Sequence, residues 1–452
     1  MTNVIVAGGG FRGITSAKVL ADRGCDVTLV ERAPFLGAVL WPFEWKEHGL
    51  FLDKGCHIFG SGDSDHDSTV LEILGDNFYP VDMKTASVLN GVVTDGTAVP
   101  DLCSLGGDLA ARILVEIIEQ AAIAPQGPVD AQTLSEALRV QFGETAARCL
   151  EDVIRKIAVA EPGDLAPAAL TTTVGSRMRA ADDAMSDLLK QIPALDDRIA
   201  GNNAADPYKY LGKVNPLVPT RHFYPKSGGT GGFCRDAQRC LTDLGVEILL
   251  STAIESFSAD NSSVNVTLGG VLREFDYMVW ALDTGLLSQI ALGEDTASDF
   301  VHKTPMALYY FLTDTDDIGD KDFIQDYDDS HRIFRVSRAG HYSNQKTADG
   351  KTYICAEVMT AVGSDLWEAP ETFAQQVWDE ARALGMVVRE TPDDIYVQKT
   401  PVSYKHQRVG FEEACHKVTE EVAKQSERVI VTDPMVLGYS AILKMLDTVG
   451  VA

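Results

Sequence analysis

The amino-terminal part of the chain alternates between short apolar runs and one glycine-rich turn. Residues 4–7 form a continuous apolar run of strand length, and residues 8–13 read Gly-Gly-Gly-Phe-Arg-Gly immediately after it. Apolar positions then recur with helical spacing up to Leu20, and a second apolar run at residues 27–30 ends in Glu31. This order predicts a strand, a helix and a second strand, that is, one βαβ unit.

Each residue type in this unit suits the binding of a dinucleotide. Gly8 permits the tight turn, Gly10 removes the side chain that would block a pyrophosphate, and Gly13 lets the helix pack closely on the strand. An acidic residue about 20 positions after the glycines is expected to accept hydrogen bonds from a ribose diol. The pattern alone is a weak signal, but its place between a strand and a helix strengthens it. The predicted contact residues are Gly8, Gly10, Phe11, Arg12, Gly13 and Glu31.

Beyond this unit the chain divides into a helical and a strand-rich part. Residues 108–200 read mostly helical, with amphipathic stretches at 108–115, 134–140 and 149–157. Alternating runs at residues 306–311, 332–336 and 353–358 predict the strands of a second sheet.

Composition and charge narrow the classes of function. A chain of 452 residues with 45% hydrophobic residues is large enough for two domains. The net charge of −27 repels phosphate backbones, which disfavours nucleic acid as a partner. The eight cysteines form no C-x-x-C pair and are expected to be reduced thiols. Without a signal sequence or an apolar run of bilayer length, we expect a cytoplasmic protein with no integral membrane segment.

An acidic stretch early in the chain superficially suggests a calcium loop. Asp63, Asp65 and Asp67 alternate there, but the glycine and the distal glutamate of an EF-hand are missing. We therefore expect a solvated acidic loop at this position and no metal site in the protein.

Two segments that follow the βαβ unit carry a resemblance to a known superfamily. Residues 31–38, Glu-Arg-Ala-Pro-Phe-Leu-Gly-Ala, resemble the segment after the ribose-binding glutamate in FAD-dependent amine oxidases, protoporphyrinogen oxidases, phytoene desaturases and UDP-galactopyranose mutases. Those proteins usually have two glycines where this chain has Gly37 and Ala38. Residues 52–59, Leu-Asp-Lys-Gly-Cys-His-Ile-Phe, are similar to the stretch that lies close to their isoalloxazine ring. The resemblance implies FAD as the cofactor and adds Arg32, Gly37, Gly55 and His57 to its contacts.

Later segments match the same superfamily in the same order. Residues 223–232 resemble its Tyr-Pro-Lys-Gly-Gly segment, followed here by a helix at 234–244. The next strand, with Ala253 and Ile254, corresponds to the one whose backbone pairs with the adenine. Near the carboxyl end, Thr432 replaces the usual glycine before an aspartate. The resemblance places Asp433, Tyr439 and Ser440 beside the flavin, at the start of a last helix.

The order of these motifs implies the architecture. We expect an α/β protein with a discontinuous Rossmann-type FAD-binding domain and a second, α+β substrate domain. The FAD domain would comprise residues 1–60, 212–302 and 405–452. The substrate domain would comprise residues 61–211, a largely helical insert, and 303–404.

Three functions remain open. In the first, the flavin accepts a hydride from a small-molecule substrate, as in amine oxidases and desaturases. In the second, the protein resembles the mutases and rearranges a nucleotide sugar without net redox change, with arginines clamping the diphosphate. In the third, it is a scaffold that has lost the flavin. The candidate catalytic residues are Arg177, Arg335 and Tyr404, and a homodimer is kept open as the assembly.

Overall fold

The computed structural model describes residues 1–60, 64–201 and 222–432. Its strands are β1 (Asn3–Ala7), β2 (Asp26–Val30), β3 (Phe43–Trp45), β4 (Leu50–Leu52), β5 (Tyr79–Val81), β6 (Thr85–Leu89), β7 (Val92–Asp95), β8 (His222–Tyr224), β9 (Glu247–Leu249), β10 (Ile254–Ala259), β11 (Val264–Leu268), β12 (Val271–Phe275), β13 (Tyr277–Trp280), β14 (Val301–Thr313), β15 (Phe323–Asp326), β16 (Ile333–Ser337), β17 (Thr352–Met359), β18 (Asp394–Gln407) and β19 (Val429–Val431). Its helices are α1 (Phe11–Asp22), α2 (Ser64–Leu74), α3 (Gly107–Ile123), α4 (Leu134–Phe142), α5 (Glu144–Ala158), α6 (Asp183–Leu189), α7 (Pro193–Asp196), α8 (Gly229–Asp243), α9 (Thr284–Leu292), α10 (Ala339–Tyr342), α11 (Asp365–Glu368), α12 (Ala374–Ala383) and α13 (Phe411–Gln425).

A parallel sheet with the strand order β19-β13-β1-β2-β9 contains the βαβ unit predicted from the sequence. Its central strand β1 is buried on both faces. Val4 and Val6 pack in one core with α1 and α8, whereas Ile5 and Ala7 pack in another with α13. Such two-sided burial explains why β1 reads as a continuous apolar run. In a parallel sheet the strands end at one edge, and that edge is where ligands bind.

A second sheet of seven strands has the order β18-β14-β17-β16-β15-β6-β7. Along β14 the side chains alternate between its two faces, as strand geometry requires. Tyr309 and Phe311 pack with α12 on one face, whereas Leu308 and Tyr310 point toward the core shared with the parallel sheet. Helices α3, α4 and α5 form a further core, to which Phe334 of β16 contributes. The seven-stranded sheet therefore lies between helices and the parallel-sheet region.

Several expectations for individual segments can be compared with these elements. The predicted helices at 108–115, 134–140 and 149–157 lie within α3, α4 and α5. The helix expected at 234–244 begins earlier, at Gly229. The solvated acidic loop is wrong for Asp67, which is buried within α2. Strand β18 runs past the proposed domain boundary at residue 404 and pairs with β14 as far as Gln407.

No helix within the described ranges combines the length and the apolar character needed to cross a bilayer.

Candidate functional site

Among the described residues, the turn after β1 is tightly packed at Gly13 and much less tightly packed at Gly10. Gly8 has a φ of +104°, in the left-handed region that favours glycine. A Cβ at Gly13 would lie 1.7 Å from the carbonyl oxygen of Gly8, so α1 meets the turn backbone to backbone. At Gly10 the nearest described atom to such a Cβ is the Cβ of Ala38, 3.6 Å away. Among the described residues a Cβ at Gly10 would thus make one ordinary contact, which leaves a space on this side for the diphosphate of a dinucleotide.

Helix α1 begins at this space. Its N-cap residue Gly10 forms no side-chain capping hydrogen bond within the described part of the chain. A helix N-terminus carries a partial positive charge, which suits an anionic ligand at this place. Phe11 and Arg12 form the first turn and are half-buried, and the Phe11 ring lies 5.6 Å from the ring of Phe233.

Glu31 lies at the rim of the same space. Its Oε2 accepts a hydrogen bond from the Gly9 amide at 2.7 Å, and its Oε1 accepts one from the Ala33 amide at 2.7 Å. The carboxylate is thus fixed beside the glycine turn at the end of β2, where a ribose-binding acid belongs. The next residue, Arg32, is exposed.

A second turn packs against the first at Gly37. Its amide donates a hydrogen bond to the Gly9 carbonyl at 2.8 Å. A Cβ at Gly37 would lie 2.1 Å from the Cys234 sulfur, and its φ is +103°. Ala38 follows with a φ of +51°, which is costly for a residue with a Cβ. This backbone explains the two-glycine pattern in the proteins that the segment resembles.

The residues expected at the adenine lie next to Glu31. The amides of Ser251 and Thr252 donate hydrogen bonds of 3.0 Å to the carbonyls of Ala33 and Glu31. Ala253 follows directly, and Ile254 opens β10. The structure therefore brings this predicted pair to the edge that carries Glu31.

Residues 53–57 join the parallel-sheet region to the seven-stranded sheet. The Cys56 amide donates a hydrogen bond of 3.0 Å to Glu357 Oε1. A Cβ at Gly55, whose φ is +96°, would lie 3.1–3.2 Å from the Glu357 carboxylate. His57 Nε2 lies 3.0 Å from the Lys54 carbonyl oxygen. Burial, and then the charge of Arg335, lower the pKa of His57, so its imidazole is neutral near pH 7.

Arg335 and Tyr404 meet this segment from the sheet side. Arg335 on β16 binds Glu357 on β17 through two hydrogen bonds of 2.7 Å, a bidentate pair. Glu357 is 1% exposed. Burial raises the pKa of Tyr404, and its hydrogen bond with Arg335 opposes that shift. Two of the three candidate catalytic residues thus lie together with Gly55 and His57.

Arg177 is engaged elsewhere. Its Nε donates to the Asp196 carbonyl at 2.6 Å, and its guanidinium lies 3.3 Å from Asp197 Oδ1. Arg179 likewise pairs with Asp101 at 3.3 Å and Asp183 at 2.7 Å. No contact of Arg177 with Arg335, Tyr404 or His57 occurs within the described ranges. Asp433, Tyr439 and Ser440 lie outside the described residues.

Two buried acids at the junction were absent from the sequence-based predictions. Asp53 is fully buried, and its carboxylate accepts hydrogen bonds from the Thr230 amide at 2.9 Å and the Thr230 hydroxyl at 2.8 Å. The Tyr224 hydroxyl also donates to it. Asp53 belongs to the motif at residues 52–59, and Tyr224 and Thr230 belong to the motif at residues 223–232. Neither motif alone shows that these residues form hydrogen bonds with each other. Glu357 had one signal, an acidic residue inside an otherwise apolar strand.

Comparison with protein families gives a match over most of the chain. A family model described as flavin containing amine oxidoreductase matches residues 13–412. A curated relative, the carotenoid phi-ring synthase of Streptomyces griseus, is 46% identical over 59 residues, which are 12% of this chain and 11% of that protein.

Solved structures share the fold over nearly the whole chain at low sequence identity. A reduced UDP-galactopyranose mutase has a TM-score of 0.71 at 13% identity, covering 100% of this chain and 94% of that one. A putrescine oxidase bound to putrescine has a TM-score of 0.64 at 14% identity, covering 99% and 98%. A cyclohexylamine oxidase from Brevibacterium oxydans has a TM-score of 0.62 at 12% identity, covering 99% of both chains.

Proposed function

Because this chain belongs to the family of flavin containing amine oxidoreductases and is an FAD-dependent oxidoreductase, we propose that it oxidises a small organic molecule by hydride transfer. The substrate would lose a hydride from carbon and a proton from the neighbouring nitrogen or carbon. A separate acceptor would then take up the two electrons. FAD, when bound, supplies the ring that accepts the hydride.

The contrast between Gly10 and Gly13 carries this proposal. Gly13 is required by packing within the protein, whereas a Cβ at Gly10 would meet one described atom, at an ordinary contact distance of 3.6 Å. Together with the helix N-terminus and Glu31, the space beside Gly10 fits the diphosphate and ribose of FAD. Gly8, Gly10, Phe11, Arg12, Gly13, Glu31 and Gly37 would hold this part of the cofactor, with Ala253 and Ile254 at the adenine.

The remaining residues of the site would orient the reactants and exclude water, and would not themselves react. Gly55 and His57 would line the flavin ring, and a neutral His57 offers polarity without a charge. Arg335, fixed by Glu357, would present a constant positive charge on the substrate side. Tyr404 would add a hydroxyl that is protonated at neutral pH, and burial raises its pKa further above the ordinary value. Such positioning and removal of water are the main contributions of a protein to hydride transfer.

The rearrangement of a nucleotide sugar receives less support from the same residues. A diphosphate clamp needs arginines with free donors in a common place. Arg177, Arg179 and Arg335 are each paired with carboxylates, and the first two belong to the helical part of the chain. The oxidoreductase proposal requires no such clamp.

Anaerobic reduction of the bound flavin distinguishes hydride transfer from the rearrangement of a nucleotide sugar. The purified protein should show the visible absorption of oxidised flavin, and one member of a panel of amines and polyenes should bleach it without oxygen. The Gly10→Ala protein, which should lack FAD, serves as the control. If no member of the panel bleaches the flavin, and UDP-galactopyranose is rearranged after dithionite treatment, the hydride-transfer proposal is wrong. A protein that stays colourless after reconstitution with FAD also overturns it.

A further inference from the structure

Asp53 is a fully buried carboxylate for which the proposed chemistry has no use. Among the described residues, its three hydrogen-bond donors are the Thr230 amide, the Thr230 hydroxyl and the Tyr224 hydroxyl. None of these donors is cationic, and no salt bridge to Asp53 occurs among the described residues. A charge held this way is costly, since neutral donors compensate only part of the lost hydration. Burial accordingly raises the pKa of Asp53 to about 7, although the Thr230 hydrogen bonds oppose the shift.

The backbone of Asp53 fixes the segment that faces the flavin in our proposal. Its carbonyl accepts hydrogen bonds from the Tyr310 hydroxyl at 2.7 Å and from the Gly55 amide at 2.8 Å. The turn from Asp53 to Gly55 is thereby held to β14 of the seven-stranded sheet. His57 is anchored to the same turn through the Lys54 carbonyl at 3.0 Å. Asp53 therefore helps to fix where Gly55 and His57 lie, together with Glu357, which binds the Cys56 amide.

The side chain of Asp53 is fixed just as firmly by helix α8. Gly229 has a φ of +56°, and a Cβ there would lie only 2.5 Å from Asp53 Oδ1. The Thr230 amide that binds the carboxylate belongs to the first turn of this helix. Asp53 thus occupies the position of a capping acid, although it comes from a distant part of the chain. Asp53 therefore connects helix α8, the turn from Asp53 to Gly55, and strand β14 of the seven-stranded sheet.

We propose that Asp53 is a positioning residue for the flavin, whose carboxylate, held by α8, sets the place of the Gly55–His57 segment against the isoalloxazine ring. The inference rests on the proposed function, because it needs a flavin beside that segment. It predicts that a change confined to the Asp53 carboxylate alters the flavin itself. A residue important only for stability would not do so.

The Asp53→Asn protein tests this inference, because asparagine keeps the size and one acceptor oxygen. It should retain FAD, yet its visible flavin spectrum should shift. Its reoxidation by oxygen after dithionite reduction should slow about tenfold, a change typical of a misplaced reactive segment. Neither readout needs the natural substrate. Thr230→Val, which removes one donor to the same carboxylate, should shift both readouts less and in the same direction.

Asp326→Asn is the matched control. Asp326 is also 0% exposed, but it pairs with His331 at 2.7 Å and Lys156 at 3.3 Å, on the side of helix α5. The Asp326→Asn substitution should lower the unfolding temperature and leave the flavin spectrum and the reoxidation rate at wild-type values. If the Asp53 and Thr230 variants keep the wild-type spectrum and reoxidation rate, the inference is wrong although the proposed function stands. If the wild-type protein binds no FAD, the proposed function fails and the inference fails with it.

Discussion

The Glu31 carboxylate accepts a hydrogen bond of 2.7 Å from the Gly9 amide, joining the ends of the two strands that flank helix α1. The second carboxylate oxygen is bound to the Ala33 amide. In the proposed FAD site, Glu31 is therefore already oriented by the protein before a ribose binds. Preorganisation of this kind reduces the entropy lost when a ligand is bound.

Replacement of Glu31 by alanine should weaken FAD binding about tenfold to a hundredfold. A hydrogen bond to a charged group contributes about 1.5–3 kcal/mol, and each 1.4 kcal/mol corresponds to roughly a factor of ten. The dissociation constant can be measured from the quenching of FAD fluorescence. Glu255→Gln is a suitable control, because Glu255 also accepts from a backbone amide, that of Gly270, at an exposed site. Equal affinity of the Glu31 and Glu255 variants would contradict the assignment of the ribose contact.

Alanine at Gly10 and at Gly13 should have opposite consequences. Gly10 has a φ of −74° and a ψ of −177°, an extended backbone that alanine adopts. Gly10→Ala should therefore cost at most about 1 kcal/mol of stability without FAD, and its added methyl should prevent FAD binding. At Gly13 the new Cβ would overlap the Gly8 carbonyl, and we expect a loss of about 3 kcal/mol or more. Urea unfolding with and without FAD measures both effects. If the Gly10→Ala protein bound FAD as tightly as the wild type, the diphosphate would not lie against Gly10 and the proposed FAD site would be wrong.

Substitutions at Arg335 and Glu357 should change the stability of the protein and its flavin reduction by substrate in different ways. Arg335→Met leaves Glu357 buried without its partner, which should cost about 3–5 kcal/mol. Adding Glu357→Gln removes the unpaired charge and keeps an acceptor for the Cys56 amide, so most of the lost stability should return. Flavin reduction by substrate should stay impaired in both proteins, since the fixed positive charge is gone. A double variant with recovered stability and wild-type reduction rate would show that Arg335 has only a structural role.

The pKa of Asp53 predicts an unusual dependence of stability on pH. Its value of about 7 in the folded protein lies above the ordinary 3.8, so the folded state retains a proton that the unfolded state releases. Stability should therefore fall as the pH rises between about 4 and 7, by up to about 4 kcal/mol, and level off above that range. Asp53→Asn should lack this component. Urea unfolding near pH 5 and near pH 8 compares the two proteins, and parallel behaviour would contradict the assignment.

The part of the site that the sequence predicts is the part encoded in contiguous residues. The glycine turn and Glu31 could be identified because strand, turn and helix signals follow one another without interruption. The start of α8 was misjudged for the opposite reason. Glycines at its beginning have low helix propensity, and the first turn is stabilised by Asp53, which is far away in the sequence.

The proposed substrate side of the site depends on strand register, which no local pattern specifies. Arg335 and Glu357 are direct cross-strand partners between β16 and β17, next to an irregularity in the ladder. A shift of one residue would place the two side chains on opposite faces of the sheet. The resemblance to a superfamily suggested Arg335 as a candidate, but only the register supplies its partner.

The strands of the parallel sheet come from distant parts of the sequence, and this affects how the protein folds during synthesis. Strand β1 is synthesised well before its second neighbour, β13, which begins only at Tyr277. Until then one edge of β1, which is apolar from Val4 to Ala7, stays unpaired, and such edges associate with other chains. Strand β19 ends at Val431, so residues 3–431 must all be synthesised before these five strands can pair. Premature termination products should accordingly aggregate, and chaperone supply should govern the yield of the recombinant protein.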